Sequence, residues 1–380
     1  MKKKILIVYA TYGTGHKVIA KYIENYFKEK NSSYEILSID LLLYSIPILG
    51  KFTQKASNKI ILSKNPYLWS IIYNLYNNKF SVKSTNKIFI NLFKNKKLIN
   101  LLKSYNPDLT ISTHFWASSL ITNFNKKEYI NSKLITIVTD YQAHEFWLNN
   151  HKGEDALIVS GNDIKNYFIS KGVDKTKIFT YGIPISNEFN TSINNKIELY
   201  KQYKIDRNKL VFLFFGGGGL GSLSSIPYVK TLFKLNLPIN IIFVSGMNKK
   251  LKLKVKELSK EYQVDNITVL GFVNNVPELL KISDAVITKP GGVTITECIS
   301  EKKPMILFGK KGGNELGNTK YIIKKEFGIN VSSTSSFKKE MIKITKKPKY
   351  LNHLTKKLKN QKDNKSISKL YKLSKDLLEK

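Results

Sequence analysis

Apolar runs that end at glycine or polar turns and lead into stretches of helical periodicity constrain this chain more than any other feature. Residues 5–10 form the first run, and after a glycine turn Val18, Ile19, Tyr22, Ile23, Tyr26 and Phe27 recur at helical spacing. A run that is apolar at every position fits a strand covered on both faces, the signature of a parallel sheet. Further runs at 34–39, 109–113, 134–140 and 156–160 continue the series. A second series occupies 210–215, 239–245, 267–270, 285–288 and 305–308. The pattern predicts an α/β chain of two doubly wound, Rossmann-like domains facing a cleft, with ligands at the carboxyl ends of the strands. Residues 1–185 would form the first domain and 186–330 the second, with a linker-like polar stretch at 187–196. Residues 331–380 would form a basic helical tail packing back on the first domain, with Leu351, Leu354, Leu358, Leu370, Leu373 and Leu377 on its apolar side.

Charge narrows the class of partner. The chain carries 63 Lys+Arg against 28 Asp+Glu, a formal net charge of +35. Arg207 is the only arginine, and the accompanying wealth of Lys, Asn and Ile is what AT-rich codons give. Without arginine forks, sequence-specific nucleic-acid reading is not expected. The informative charge is uneven: residues 41–107 hold 11 lysines, 10 aromatics and no acid at all. Lysines that attract anionic headgroups beside aromatics that settle at an interface suit a membrane surface, with Tyr67, Trp69, Tyr73, Tyr76 and Phe80 as the contacting residues. A helix pair with its aromatics inward and its lysines solvated is the plainer alternative. No apolar stretch approaches the length of a spanning helix. The N-terminal lysines imitate a signal peptide, but the run after them ends in a glycine turn and reads as a strand. Cys298 is the single cysteine, so neither a disulfide within the chain nor a cysteine-cluster metal site is expected.

Three motifs carry chemistry. Gly13-Thr14-Gly15-His16 sits at a strand-to-helix turn, where free N–H groups suit an oxyanion and where a histidine is held neutral and able to accept a proton; a plain glycine turn is the competing reading. Gly216-Gly217-Gly218-Gly219 follows a buried strand and suits a diphosphate, although it is neither a dinucleotide fingerprint nor a Walker loop. Lys289-Pro290-Gly291-Gly292 opens a helix bearing Thr294 and Glu297, which have capping-box spacing; the glutamate is also placed to accept from a ribose diol. Asn314, Glu315 and Asn318 gather at the next strand's exit and suit sugar hydroxyls.

These blocks, with Thr139-Asp140-Tyr141, His144 and Trp147, and with Tyr181-Gly182-Ile183-Pro184, resemble the monogalactosyl- and processive glucosyl-diacylglycerol synthases of glycosyltransferase family 28. The resemblance is in order, spans roughly residues 4–325, and implies a GT-B fold. It implies inverting transfer of a hexose from UDP-glucose or UDP-galactose to 1,2-diacylglycerol, with no metal ion and no cofactor besides the donor, by a peripheral protein on the cytoplasmic face of the membrane. Carried over by position, His16 would be the base or an acceptor-site residue, with Asp140 and His144 supporting the acceptor side. Gly216 to Gly219 would meet the diphosphate, Phe272 and Val273 the uracil, Glu297 the ribose, and Asn314 with Glu315 the hexose. Asn314 stands where glutamine is usual, which opens the question of the donor sugar. His144 as a packed histidine and Phe272 as core are the plainer alternatives. N-acetylglucosaminyl transfer to a polyprenyl-diphosphate-linked cell-wall intermediate, or a non-catalytic lipid-binding module, are the rival functions.

Overall fold

The computed structural model describes residues 2–11, 14–45, 79–149, 151–192, 195–309 and 312–379. Tyr67, Trp69, Tyr73 and Tyr76 lie outside them, and of Phe80 only its place in the helix Lys79–Phe93 is described. Among the described residues, the first unit runs to Asn187 and resumes at Asn364; the second is Glu188–Asp363.

The first unit is built on a parallel sheet of β1 (Lys4–Tyr9), β2 (Glu35–Asp40), β3 (Leu109–Ser112), β4 (Lys133–Ile137), β5 (Ala156–Ile158) and β6 (Ile178–Phe179) in the order β2-β1-β3-β4-β5-β6. Ile5, Leu6 and Ile7 are fully buried, as an uninterrupted apolar run requires. The helix Gly15–Lys30 buries Ile19, Ala20, Ile23 and Phe27, one stripe at helical spacing, and places Lys28 and Lys30 at the negative end of its dipole. The strand read at 134–140 stops at Ile137, so Asp140 lies in the loop beyond it. In this order β1 has β2 on one side and β3 on the other, and chain direction across the sheet reverses between β1 and β3. In doubly wound sheets such a reversal point is where ligands bind.

The second unit holds β7 (Leu210–Phe215), β8 (Ile239–Val244), β9 (Ile267–Leu270), β10 (Ala285–Thr288), β11 (Met305–Phe308) and β12 (Gly328–Val331), ordered β12-β11-β10-β7-β8-β9 and wholly parallel. Phe212, Phe214, Phe243 and Phe308 fill its core. The reversal falls between β7 and β10. The tail expected as one piece divides. The helix Thr334–Lys346 presents Phe337, Met341 and Ile344 to the second unit's core, joined there by Leu351. The helix Ser366–Glu379 belongs to the first unit: Ser366 Oγ donates to Ile183 O at 2.9 Å, and Tyr371 meets Phe27 edge-on at 5.1 Å.

One buried acid in the first unit has no part in the chemistry described below. Glu154 is 3% exposed; Oε1 accepts from Thr136 Oγ1 at 2.9 Å, and Oε2 has no partner. Burial raises its pKa to about 7, against the opposing Thr136 hydrogen bond and the Lys177 charge. Because the folded pKa exceeds the unfolded one, its stabilisation is complete below the unfolded carboxyl pKa and is lost as pH rises through about 7. Glu154→Gln, which cannot ionise, is expected to gain about 3 kcal/mol on the wild type between pH 5 and pH 8.5. Urea midpoints at the two pH values test this, and parallel pH dependence in both proteins would refute it.

Candidate active site

In the first unit, three histidines from three strand exits meet beside the sheet's reversal point. His16 lies in the first turn of the helix Gly15–Lys30, after β1. Its Nδ1 is 2.5 Å from Thr113 O, a carbonyl that can only accept, so the proton is on Nδ1 and Nε2 carries the lone pair. Thr139 Oγ1, beyond β4, stands 3.5 Å from the same Nδ1. Loss of hydration lowers the His16 pKa to about 4, outweighing the Thr113 carbonyl. The positive end of the helix dipole acts in the same direction.

His114 follows β3 and caps the helix Phe115–Lys126: its Nδ1 accepts from Trp116 N at 3.2 Å, which puts its proton on Nε2. Its ring meets that of His16 edge-on, centroids 4.8 Å apart. Burial, then the neighbouring His16 and His144, holds its pKa well below the ordinary value. His144 is buried and edge-on to Phe115 at 5.5 Å. Burial followed by His16 lowers its pKa to about 3, with Glu145 opposing. Glu145 is itself held by Tyr167 Oη at 2.7 Å and Lys171 Nζ at 2.8 Å, which fixes the loop that carries His144. At neutral pH the cluster is three neutral imidazoles, a setting in which one can take a proton without a standing charge beside it. His144 is packed against the rings of Phe115, Phe146 and Trp147, the arrangement of the plainer alternative. Asp140 is buried in the same loop, its carbonyl accepting from Ser160 Oγ at 2.9 Å.

His114 is absent from the sequence reading, and Thr113 and Thr139, present there only within a strand run and a motif block, were given no role beside His16. The available signal was the string Ser112-Thr113-His114-Phe115-Trp116, a histidine at the exit of a buried strand and the start of an apolar helix.

In the second unit, the motif after β7 and the motif after β10 flank the other reversal point. Most of the glycine loop is shaped by the chain itself. A side chain at Gly221 would collide with the Ser245 carbonyl, and one at Gly217, with φ +121, would lie 2.7 Å from Ser222 Cβ. Gly216 is likewise enclosed by Phe243 and Leu251, whereas Gly218, with φ +67, faces open space. Close approach of backbone to ligand is thus not the reason for every glycine: Gly216 packs on Phe243 and Leu251, Gly217 on Ser222, and Gly221 on Ser245 and Asn248.

Lys289, Pro290, Gly291 and Gly292 turn the chain from β10 into the helix Gly292–Ser300. Thr294 and Glu297 do not form the expected capping box. Gly291, extended at φ −74 and ψ 137, is the N-cap with no side-chain bond, so the helix begins early and both residues lie inside it. Glu297 is 5% exposed, on the covered side of this helix. Asn314 and Glu315 open the helix Asn314–Lys324 and are half-buried. Asn318, expected among the sugar readers, is 1% exposed and donates to Pro290 O at 3.0 Å, so its amide fixes the Lys-Pro-Gly-Gly turn. Phe272 is 58% exposed and is not core; Val273 beside it is half-buried. Among the described residues no three His, Cys, Asp or Glu side chains are grouped to hold a metal ion, and no helix is long and apolar enough to cross a membrane.

Two family models match the chain in succession. The family model for monogalactosyldiacylglycerol (MGDG) synthase matches residues 16–185, and that for the glycosyltransferase family 28 C-terminal domain matches 212–377. A processive diacylglycerol beta-glucosyltransferase of Staphylococcus carnosus is 28% identical over 377 residues, covering 99% of this chain and 92% of the relative. One of Staphylococcus haemolyticus is 29% identical with the same coverage. Among solved structures, MurG of Acinetobacter baumannii superposes with a TM-score of 0.62 at 12% identity, over 98% of this chain and 99% of that one. A UDP-GlcNAc 2-epimerase of Neisseria meningitidis, bound to UDP-GlcNAc, gives 0.62 at 14%, over 98% and 100%. Such likeness establishes a common GT-B fold.

Proposed function

The chain belongs to glycosyltransferase family 28, in the monogalactosyl- and glucosyl-diacylglycerol synthase group, and on that premise we propose that it transfers glucose from UDP-glucose to the free hydroxyl of 1,2-diacylglycerol. The observation that carries this reading is His16, a neutral imidazole whose Nδ1 is committed to Thr113 and whose Nε2 is free to act as a base.

Nε2 would take the proton of the acceptor hydroxyl as its oxygen attacks the anomeric carbon. The bond from that carbon to the diphosphate oxygen breaks, its electron pair leaves with UDP, and configuration inverts. His114 Nε2–H, with Asp140 and His144, would orient the acceptor oxygen. In the second unit, Gly218 with the N-terminus of the helix Gly292–Ser300 would receive the charge that develops on UDP. Phe272 and Val273 would hold the uracil, Glu297 the ribose, and Asn314 and Glu315 the hexose. Glucose is preferred over galactose because the full-length relatives named above are glucosyltransferases. The acceptor is a membrane lipid, and the acid-free, lysine- and aromatic-rich residues 41–107 would dock the protein, peripherally, on an anionic surface of the cytoplasmic leaflet.

The test is turnover on anionic vesicles containing diacylglycerol, with UDP-glucose and UDP-galactose side by side. A β-glucosyl lipid with stoichiometric UDP is expected, and UDP-galactose should be at least about tenfold slower, within what hexose contacts discriminate. Activity on a polyprenyl-diphosphate acceptor alone, or no diacylglycerol-dependent UDP release from either donor, would overturn it.

A further inference from the structure

One residue holds His16 at two points. Thr113, fully buried just past β3, accepts from His16 Nδ1 through its carbonyl at 2.5 Å, and its Oγ1 donates to the His16 carbonyl at 3.2 Å. Its own N–H donates to Val8 O, near the end of β1, at 3.1 Å. Thr113 is therefore fixed to the sheet on one side and grips both the ring and the main chain of His16 on the other. The helix Gly15–Lys30 supplies no such hold itself, because Thr14, its N-cap, makes no side-chain cap bond.

Two groups compete for Nδ1, and they differ in what they can do. The Thr113 carbonyl can only accept, so it requires the proton on Nδ1 and leaves the lone pair on Nε2. The Thr139 hydroxyl, 3.5 Å from the same nitrogen, can also donate, so it suits a bare Nδ1 with the proton on Nε2. That second tautomer has no lone pair at Nε2 and cannot take a proton there. Which form the ring adopts follows from which partner it lies against. By holding the main chain of His16, the Thr113 hydroxyl keeps the ring against the carbonyl.

We propose that Thr113 is a positioning residue for the base: its hydroxyl secures His16 in the tautomer that can accept the proton of the acceptor hydroxyl, and Thr139 is the partner of the inactive tautomer. This rests on the reading of His16 as the base. Any residue at this position would supply the carbonyl, so the claim concerns the hydroxyl. Thr113→Val isolates it, since valine keeps the β-branched shape and lacks the donor.

Nitrogen NMR of isotope-labelled histidine reads the tautomer of His16, whose signals are identified by their absence from His16→Ala. In the wild type at neutral pH the Nδ1–H form should dominate; a dominant Nε2–H form overturns the proposal without any variant. In Thr113→Val the Nε2–H form should gain at the expense of the other. There kcat should fall about tenfold, as for a displaced reacting group, with UDP-glucose affinity within about twofold. Thr113→Ser, which keeps the hydroxyl, should restore both tautomer and turnover. Adding Thr139→Val to Thr113→Val removes the donor to a bare Nδ1 and should recover part of the Nδ1–H form and of kcat, which a merely loosened fold would not do. An unchanged tautomer in a folded Thr113→Val protein, or no recovery in the double variant, overturns the proposal. If the tautomer shifts as expected while kcat holds, the hold on the ring stands and the reading of His16 as the base fails.

Discussion

His16→Ala is expected to cut turnover by about a thousandfold, the middle of the range for a lost general base, while UDP affinity stays within about twofold. The residue is in the first unit, and the nucleotide candidates are all in the second, so donor binding is the internal control. The pH profile carries the sharper expectation. With a pKa near 4, His16 is already the free base at neutral pH. Wild-type kcat/KM should therefore show no limb from this group between about pH 5 and about pH 8, and should fall tenfold per unit once pH drops below the pKa. The alanine variant should lack that acid limb. Near-wild-type turnover in His16→Ala would remove it from the chemistry and leave Thr113 O as merely its structural partner.

Glu297→Ala should weaken UDP and UDP-glucose alike, by about thirty- to a hundredfold, because the ribose is common to both and a carboxylate accepting from a diol makes charge-assisted bonds. Equal loss in the two ligands is the signature, in contrast to the hexose-selective loss expected on replacing Asn314. Since Glu297 is covered, thermal midpoints of Glu297→Ala and Glu297→Gln must accompany the calorimetry, to show that the variants fold. Unchanged affinity in a folded Glu297→Ala protein would refute the ribose role.

How far the fold was legible follows from what each signal depends on. β7, β9, β10 and β11 were bounded to the residue because continuous apolar runs stop at glycine, lysine or polar turns. β6 is two residues long, and β12 opens with Gly328, whose place beside the Met305 carbonyl leaves no room for a side chain. Neither has a run to read. His16 was legible because its chemistry is local, a histidine at a glycine turn before a helix. His114 was not, because its meaning comes from β3 lying next to β1, an order that no local pattern carries. The same holds for Asn318, whose bond to Pro290 spans 28 residues. Thr294 and Glu297 show the opposite failure, a local pattern that matched a cap while Gly291 had already supplied the helix entry.

The return of the helix Ser366–Glu379 to the first unit has a consequence for synthesis. A chain made from its N-terminus normally completes its domains in order. Here the second unit, Glu188–Asp363, is whole while the first still lacks Ile367, Leu370 and Leu378 and the ring of Tyr371 against Phe27. The unit begun first is thus completed only after the second. His16, whose helix carries Phe27, stands on a scaffold that closes only when the helix Ser366–Glu379 arrives.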